Sequence, residues 1–181
     1  VYQTSDFGRT WRSLATDELW GYALVIEQDP VERNLLFLGT EFGLYVSIDG
    51  GAHWTKWTHG FPTASAKDMI VHPRDHDLVV ATHGRAIYVL DDIRPLRVLA
   101  RSGADILDQR LHLFEVPDAI QYVVKETKGL RGPGHAEFQG ENRPYGALIT
   151  YVVNPLETEE SEAKDEVVLE ILNQDGEVIR T

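Results

Sequence analysis

The sequence contains an internal repeat of 43 residues, and this repeat constrains the fold more than any other feature. The pattern [Ser/Thr]-x-Asp-x-Gly-x-x-Trp occurs at 4–11 (TSDFGRTW) and again at 47–54 (SIDGGAHW), so Trp11 and Trp54 are 43 positions apart. Farther on, 35–51 (LLFLGTEFGLYVSIDGG) aligns with 78–93 (LVVATHGRAIYVLDDI) after a one-residue slip in the turn. A period of about 40–50 residues indicates an array of small units that bury their apolar faces against each other.

Each unit consists of short β-branched and aromatic runs separated by turn residues, which is typical of strands. These runs predict strands near 23–28, 35–40, 43–48, 53–57, 68–72, 78–82 and 86–90, and residues 1–14 supply the last two strands of an earlier unit. No long stretch has the 3.6-residue period of an amphipathic helix, so the predicted class is all-β. Four short strands per unit predict propeller blades. Residues 1–94 then form about two and a half blades, too few to close a ring, and we expect the chain to be a fragment of a longer protein.

The remaining residues are predicted to leave the propeller and begin a second domain. Residues 95–125 are predicted to be the exit and linker, with Pro95 breaking the strand pattern and a short helical turn near 104–109. Residues 126–181 are predicted to be the first part of a β-sandwich. They begin with a glycine- and proline-rich loop at 126–146, continue with strands near 147–153 and 166–172, and contain an Asp-Gly hairpin turn in NQDGEV (173–178). The acidic run at 157–166 is predicted to be a solvated loop.

The aspartate of each repeated pattern is predicted to be architectural. It lies in the turn between the third and fourth strands, where a short acidic side chain accepts hydrogen bonds from backbone N–H groups. The glycine permits backbone angles that strain other residues, and the tryptophan is expected to fold back as an apolar plug between neighbouring sheets. The structural residues predicted in this way are Thr4, Asp6, Gly8, Trp11, Ser47, Asp49, Gly51 and Trp54.

The composition argues against several functions. The 181 residues carry a formal net charge of −12, which argues against nucleic acid as the main partner. The sequence has no cysteine, so disulfides and thiolate metal sites are excluded. No stretch approaches the roughly 18 apolar residues of a membrane span. The histidines at 53, 59, 72, 76 and 83 follow no zinc-ligand spacing, and we expect neither a metal nor a cofactor.

Strand direction selects the candidate binding residues. Successive strands of a blade are antiparallel, so the second-to-third-strand turns (40–43 and 82–85) share a face with the connections between units (15–22 and 58–67), opposite the aspartate turns. The candidates for ligand binding on that face are Glu41, His83, Arg85 and Trp20. Glycoside hydrolysis needs two carboxylates, for which Glu41 and Asp68 are the candidates, with Asp17 or Glu18 as alternatives for the second acid.

Structural explanations stay open for the same residues. An ion pair of Arg85 with Asp91 or Asp92 would pin the last blade. His83 and Gly84 fit a tight turn, and Glu41 fits a solvated turn position.

The two patterns resemble the Asp-box, or bacterial neuraminidase repeat, of sialidases, sortilins and several glycoside hydrolases. Residues 79–99 (VVATHGRAIYVLDDIRPLRVL) resemble the closing blade of large bacterial proteins described as glycosyl hydrolase-like or sortilin-like. Residues 143–181 resemble the first strands of the small, immunoglobulin-like β-sandwich that follows that propeller. Fold similarity of this kind says little about activity, because Asp-box propellers serve unrelated functions.

The resemblance implies two functions and a location. One is a scaffold that binds a peptide or a glycan, in which this chain contributes part of the wall and the rest of the propeller or further modules contribute the remainder. The other is a glycoside hydrolase whose central site is completed by blades outside this chain. Arg85 is the one arginine on the binding face, so the arginine triad of sialidases is not met here. We expect the chain alone to be inactive, and the resemblance implies a secreted or periplasmic protein.

Overall fold

The structure, a computed structural model, describes residues 1–120, 143–154 and 167–181. Within these ranges it is predominantly strand, with antiparallel sheets and one α-helix. The elements are β1 (Tyr2–Gln3), β2 (Arg12–Ser13), β3 (Ala23–Gln28), β4 (Leu36–Thr40), β5 (Gly43–Ser47), β6 (Thr55–Trp57), β7 (Ala66–Val71), β8 (Leu78–Thr82), β9 (Ile87–Leu90), α1 (Arg94–Ser102), a 3-10 helix (Ala104–Asp108), β10 (Leu111–Leu113), β11 (Tyr151–Val153), β12 (Ile171–Leu172) and β13 (Val178–Arg180). The prediction of an all-β chain is confirmed at this coarse level.

The central sheet is a four-stranded antiparallel meander in the order β3-β4-β5-β6. The strands β4 and β5 are buried along their whole length, and Leu38 lies opposite Tyr45 in their register. The strand β6 is shorter than the predicted 53–57, because the backbone N–H groups of His53 and Trp54 donate to carboxylates rather than to a neighbouring strand.

Apolar clusters lie on both faces of this sheet because successive residues of a strand point to opposite sides. On one face, Leu36 and Leu38 pack with Leu14, which follows the small sheet β1-β2. On the other face, Phe37 packs with Met69 and with other residues of the three-stranded sheet β7-β8-β9. The contact with this second sheet is close at Gly39, where an added Cβ would lie 2.9 Å from the Cβ of Ala66.

The helix α1 lies in the segment predicted to be exit and linker, where Pro95 breaks the strand pattern. Pro95 occupies the first turn of the helix, where the missing N–H and the fixed φ angle of proline are well tolerated. The predicted helical turn near 104–109 is confirmed as the 3-10 helix.

Side-chain contacts of Arg97 connect helix α1 to two turns of the sheets. Its guanidinium donates to the buried Asp29 carboxylate in the β3–β4 turn, with Nη2 2.7 Å from Oδ2. The Nη1 of Arg97 lies 3.0 Å from the Nδ1 of His76 in the β7–β8 turn.

The last strands form two short antiparallel pairs. The strand β10 lies in the predicted linker (95–125), and β11 lies in the predicted sandwich (126–181). The two strands pair antiparallel. The strands β12 and β13 form a hairpin whose turn contains Gly176 at φ +81, as the Asp-Gly signal predicts. The acidic run at 157–166 and residues 126–142 of the predicted loop lie outside the described residues.

Candidate functional site

The two repeated patterns fold into the same turn, which we name the first aspartate turn (4–11) and the second aspartate turn (47–54). In the first, Asp6 accepts hydrogen bonds from the backbone N–H of Thr10 and from its hydroxyl, at 2.8 and 2.7 Å. In the second, Asp49 Oδ1 accepts from the N–H groups of Ala52 and His53, both at 3.0 Å. Each carboxylate is thus bound within its own turn.

The tryptophans of the two turns lie in different environments. Trp54 is 4% exposed, and its Nε1 donates to the carbonyl of Leu14 at 3.0 Å, across the gap between two sheets. Trp11 is 61% exposed and donates to the carbonyl of Gly8 inside its own turn. The same local sequence therefore gives a buried tryptophan, Trp54, where a preceding sheet covers it. It gives an exposed tryptophan, Trp11, in the β1-β2 sheet.

Hydrogen bonding keeps both turn aspartates ionised. The backbone N–H and the hydroxyl of Thr10 lower the pKa of Asp6 to about 2. Partial burial opposes ionisation of Asp49, but hydrogen bonds from His53 and Ser47 outweigh it and lower the pKa of Asp49. The hydrogen bond to Asp49, and then the negative charges of Asp49 and Glu18, raise the pKa of His53. Carboxylates held in this way act as fixed acceptors rather than as proton donors.

An open depression of about 480 Å³ lies at the opposite end of the central sheet, near the β4–β5 turn. Its lining side chains come from the connection between β2 and β3, from the β4–β5 turn, from β5 and β6, and from the connection between β6 and β7. They are Glu18, Trp20, Phe42, Tyr45, Lys56 and Thr63. Three of the segments that strand direction assigned to one face therefore meet here.

Close packing at Gly21 shapes this depression. An added Cβ at Gly21 would lie 2.7 Å from the Cγ of Glu41 and 2.8 Å from the Cδ2 of Phe42, and the residue has φ +82. Both the conformation and the space therefore require glycine. The neighbouring N–H of Trp20 donates to the hydroxyl of Tyr45 at 3.3 Å. The loop is thereby held against the β4–β5 turn, with the Trp20 indole 71% exposed.

The candidate residues predicted from the sequence separate in space. Trp20 lines the depression, and Glu41 lies beside it, half-buried against Gly21. His83 and Arg85 lie exposed on the β8–β9 turn and do not line it. Asp68 lies exposed on β7, where its carboxylate accepts from the N–H of Met69.

The alternative ion pair of Arg85 with Asp92 is not formed. The Oδ1 of Asp92 lies 2.5 Å from the Nε of Arg94, the first residue of α1, and this pair anchors the start of the helix. The backbone N–H of His83 donates to the carbonyl of Ser65 at 2.9 Å, which ties the β8–β9 turn to the connection before β7.

Four of the lining residues were not singled out from the sequence: Phe42, Tyr45, Lys56 and Thr63. Glu18 was considered only as a second catalytic acid. Tyr45 and Lys56 face each other across β5 and β6, and Lys56 follows Trp54 by two positions, so the two residues share a face. Side chains two positions apart on a strand point to the same face, so this rule, applied from Trp54, places Lys56 on the face of the depression.

The depression contains one carboxylate and one ammonium group among the described residues. The Oε2 of Glu18 accepts from the Trp54 N–H at 2.7 Å and from the Thr16 hydroxyl at 3.0 Å. In the part of the chain that the structure describes, no three histidine or acidic side chains group closely enough to hold a metal ion. This arrangement suits binding by apolar contact and charge.

The carboxyl of Asp91 has a raised pKa, but it lies outside the depression. Partial burial raises the pKa of Asp91, and the negative charge of Asp77 acts in the same direction. Asp91 lies between β9 and α1 and does not line the depression. It is therefore outside the candidate site.

Comparison with protein-family models, with curated proteins and with solved structures gives no significant match. Among the described residues, no helix has the length and apolar character needed to cross a membrane.

Proposed function

We propose that this chain is part of a β-propeller scaffold that binds a peptide or a glycan in the depression around Trp20. The sheets are its blades, the aspartate turns stabilise the blades, and the opposite face carries the ligand. The residues of β12 and β13 belong, in this proposal, to an immunoglobulin-like sandwich, and the resemblance described above suggests an exported protein.

The arrangement of the sheets supports the propeller. The central sheet and the β7-β9 sheet are both antiparallel meanders. Their first strands, β3 and β7, lie beside each other, and the Val71 N–H reaches the Glu27 carboxylate at 3.4 Å. The exposed Trp11 supports a further sheet, because Trp54 has one at the equivalent position.

The composition of the depression supports binding. Trp20 and Phe42 are 71% and 43% exposed beside Lys56, the one cation in the lining among the described residues, and exposed aromatic rings next to a few polar groups are typical of ligand sites. The observation that carries the proposal is that three segments expected on one face converge on this one depression. The alternative hydrolase needs two acids, but of its candidates Glu41 and Asp68 neither lines the depression, and Glu18 is the one carboxylate in the lining among the described residues.

The test is a comparison of Trp20→Ala with Tyr22→Ala. Both aromatic side chains are exposed on the same loop, but Tyr22 does not line the depression. We expect a screen of short peptides and oligosaccharides against the protein to identify a ligand whose affinity falls at least tenfold in Trp20→Ala and stays unchanged in Tyr22→Ala. Equal loss in both variants, or sugar release by the protein, would contradict the proposal. Circular dichroism of each variant shows that it remains folded.

A further inference from the structure

Lys56 lines the depression from a position set by strand pairing. It lies on β6 opposite Tyr45, on the same face of the sheet as the buried Trp54. Its stem passes over Gly43, where an added Cβ would lie 3.2 Å from the Cε of Lys56. Gly43 has φ +140, so any other residue would be strained there and would also crowd the lysine. The absence of a side chain at Gly43 therefore leaves room for the Lys56 stem.

The ammonium of Lys56 has no counterion among the described residues. No carboxylate from residues 1–120, 143–154 or 167–181 is paired with its Nζ within 4.0 Å, although the protein carries a net charge of −12. Glu18, the one carboxylate in the lining among the described residues, already accepts two hydrogen bonds at Oε2. A half-buried lysine that lines an aromatic depression and has no paired carboxylate among the described residues is positioned to receive an external anion.

Resting on the proposed function, we propose that the depression selects ligands that carry a carboxylate beside a flat or apolar group. The carboxylate binds the Lys56 ammonium, and the apolar group lies on Trp20 and Phe42. The C-terminal residue of a peptide and an acidic monosaccharide both present this chemistry. The depression of about 480 Å³ has room for either one.

Two matched pairs of probes test the charge preference by isothermal titration. The first pair is N-acetyltryptophan and its amide, and the second is methyl glucuronide and methyl glucoside. We expect the acid of one pair to bind about tenfold more tightly than its neutral partner, since charged hydrogen bonds are the stronger ones. The pair that shows the preference identifies the peptide or the sugar source. Added salt is expected to reduce the difference.

The variant Lys56→Met keeps the stem over Gly43 and removes the charge. We expect it to lose the preference for the acid while binding the neutral probe as the wild type does. The control is Lys67→Met, because Lys67 is an exposed lysine on β7 outside the depression. Equal affinity for acid and neutral probes, or the same result for both lysine variants, would overturn the proposal.

The outcomes separate this proposal from the one on which it rests. If acid and neutral probes bind equally well and Trp20→Ala abolishes both, the binding site stands and its selection for carboxylates is wrong. If none of the probes binds at millimolar concentration, the carboxylate proposal is overturned, while the screen with Trp20→Ala still decides the broader one.

Discussion

Replacing Arg97 by methionine should destabilise the protein by about 3 kcal/mol. The guanidinium makes three hydrogen bonds to Asp29, with Nε 3.0 Å from both carboxylate oxygens and Nη2 2.7 Å from Oδ2. Both side chains are almost completely buried. Removing one partner of a buried pair costs about 3–5 kcal/mol because the other charge loses its counterion. We expect the lower end because the N–H groups of Val31 and Glu32 still donate to Asp29.

The assay is urea unfolding, followed by circular dichroism, of three variants. Arg101→Met is the matched control: Arg101 is on the same helix, and its pair with Glu32 is largely exposed on the arginine side. Arg101→Met should lower the free energy of unfolding by less than about 1 kcal/mol. The double variant Asp29→Asn with Arg97→Met should be more stable than Arg97→Met alone, because the buried charge is gone.

Two results would refute this reasoning. If Arg97→Met and Arg101→Met lose the same free energy of unfolding, burial does not decide the strength of the pair. If the double variant is less stable than Arg97→Met, the unpaired carboxylate is not the source of the loss.

Two further predictions concern the aspartate turns. Trp54→Ala should cost about 3–5 kcal/mol as a buried aromatic truncation, whereas Trp11→Ala at the equivalent exposed position should cost less than about 1 kcal/mol; equal losses in thermal unfolding would contradict the inter-sheet plug. The folded-state pKa of His53 is raised by Asp49, so its stabilisation is present below the unfolded value and is lost as pH rises through the folded value. The Tm difference between wild type and His53→Ala should therefore be larger near about pH 5.5 than near about pH 8.5, and a pH-independent difference would exclude this linkage.

Local signals in the sequence were sufficient for the two buried strands of the central sheet. The runs around Phe37 and Tyr45 combine β-branched and aromatic residues with turn residues at both ends, and they form β4 and β5 within a residue or two of the predicted limits. The Asp175-Gly176 turn was equally accessible, because its backbone requirement is met by one glycine. The helix α1 begins where Pro95 breaks the strand pattern, and the ion pair that holds it is not local, because Arg97 pairs with Asp29, 68 positions away in the β3–β4 turn.

The site was only partly predictable for a related reason. Strand direction assigns residues 15–22, 40–43, 58–67 and 82–85 to one end of the sheets, and side chains from the first three of these segments line the depression. A side chain lines the depression only if it points to the correct face of the sheet. The register of strand pairing decides which side chains do so. Tyr45 and Lys56 are opposite each other only because β5 and β6 pair in the register that places Val46 opposite Thr55. Shifting that register by one residue would turn Lys56 to the other face and leave the depression without its cation. The proposed selection for carboxylates therefore depends on the pairing of β5 with β6, the two strands that the second aspartate turn connects.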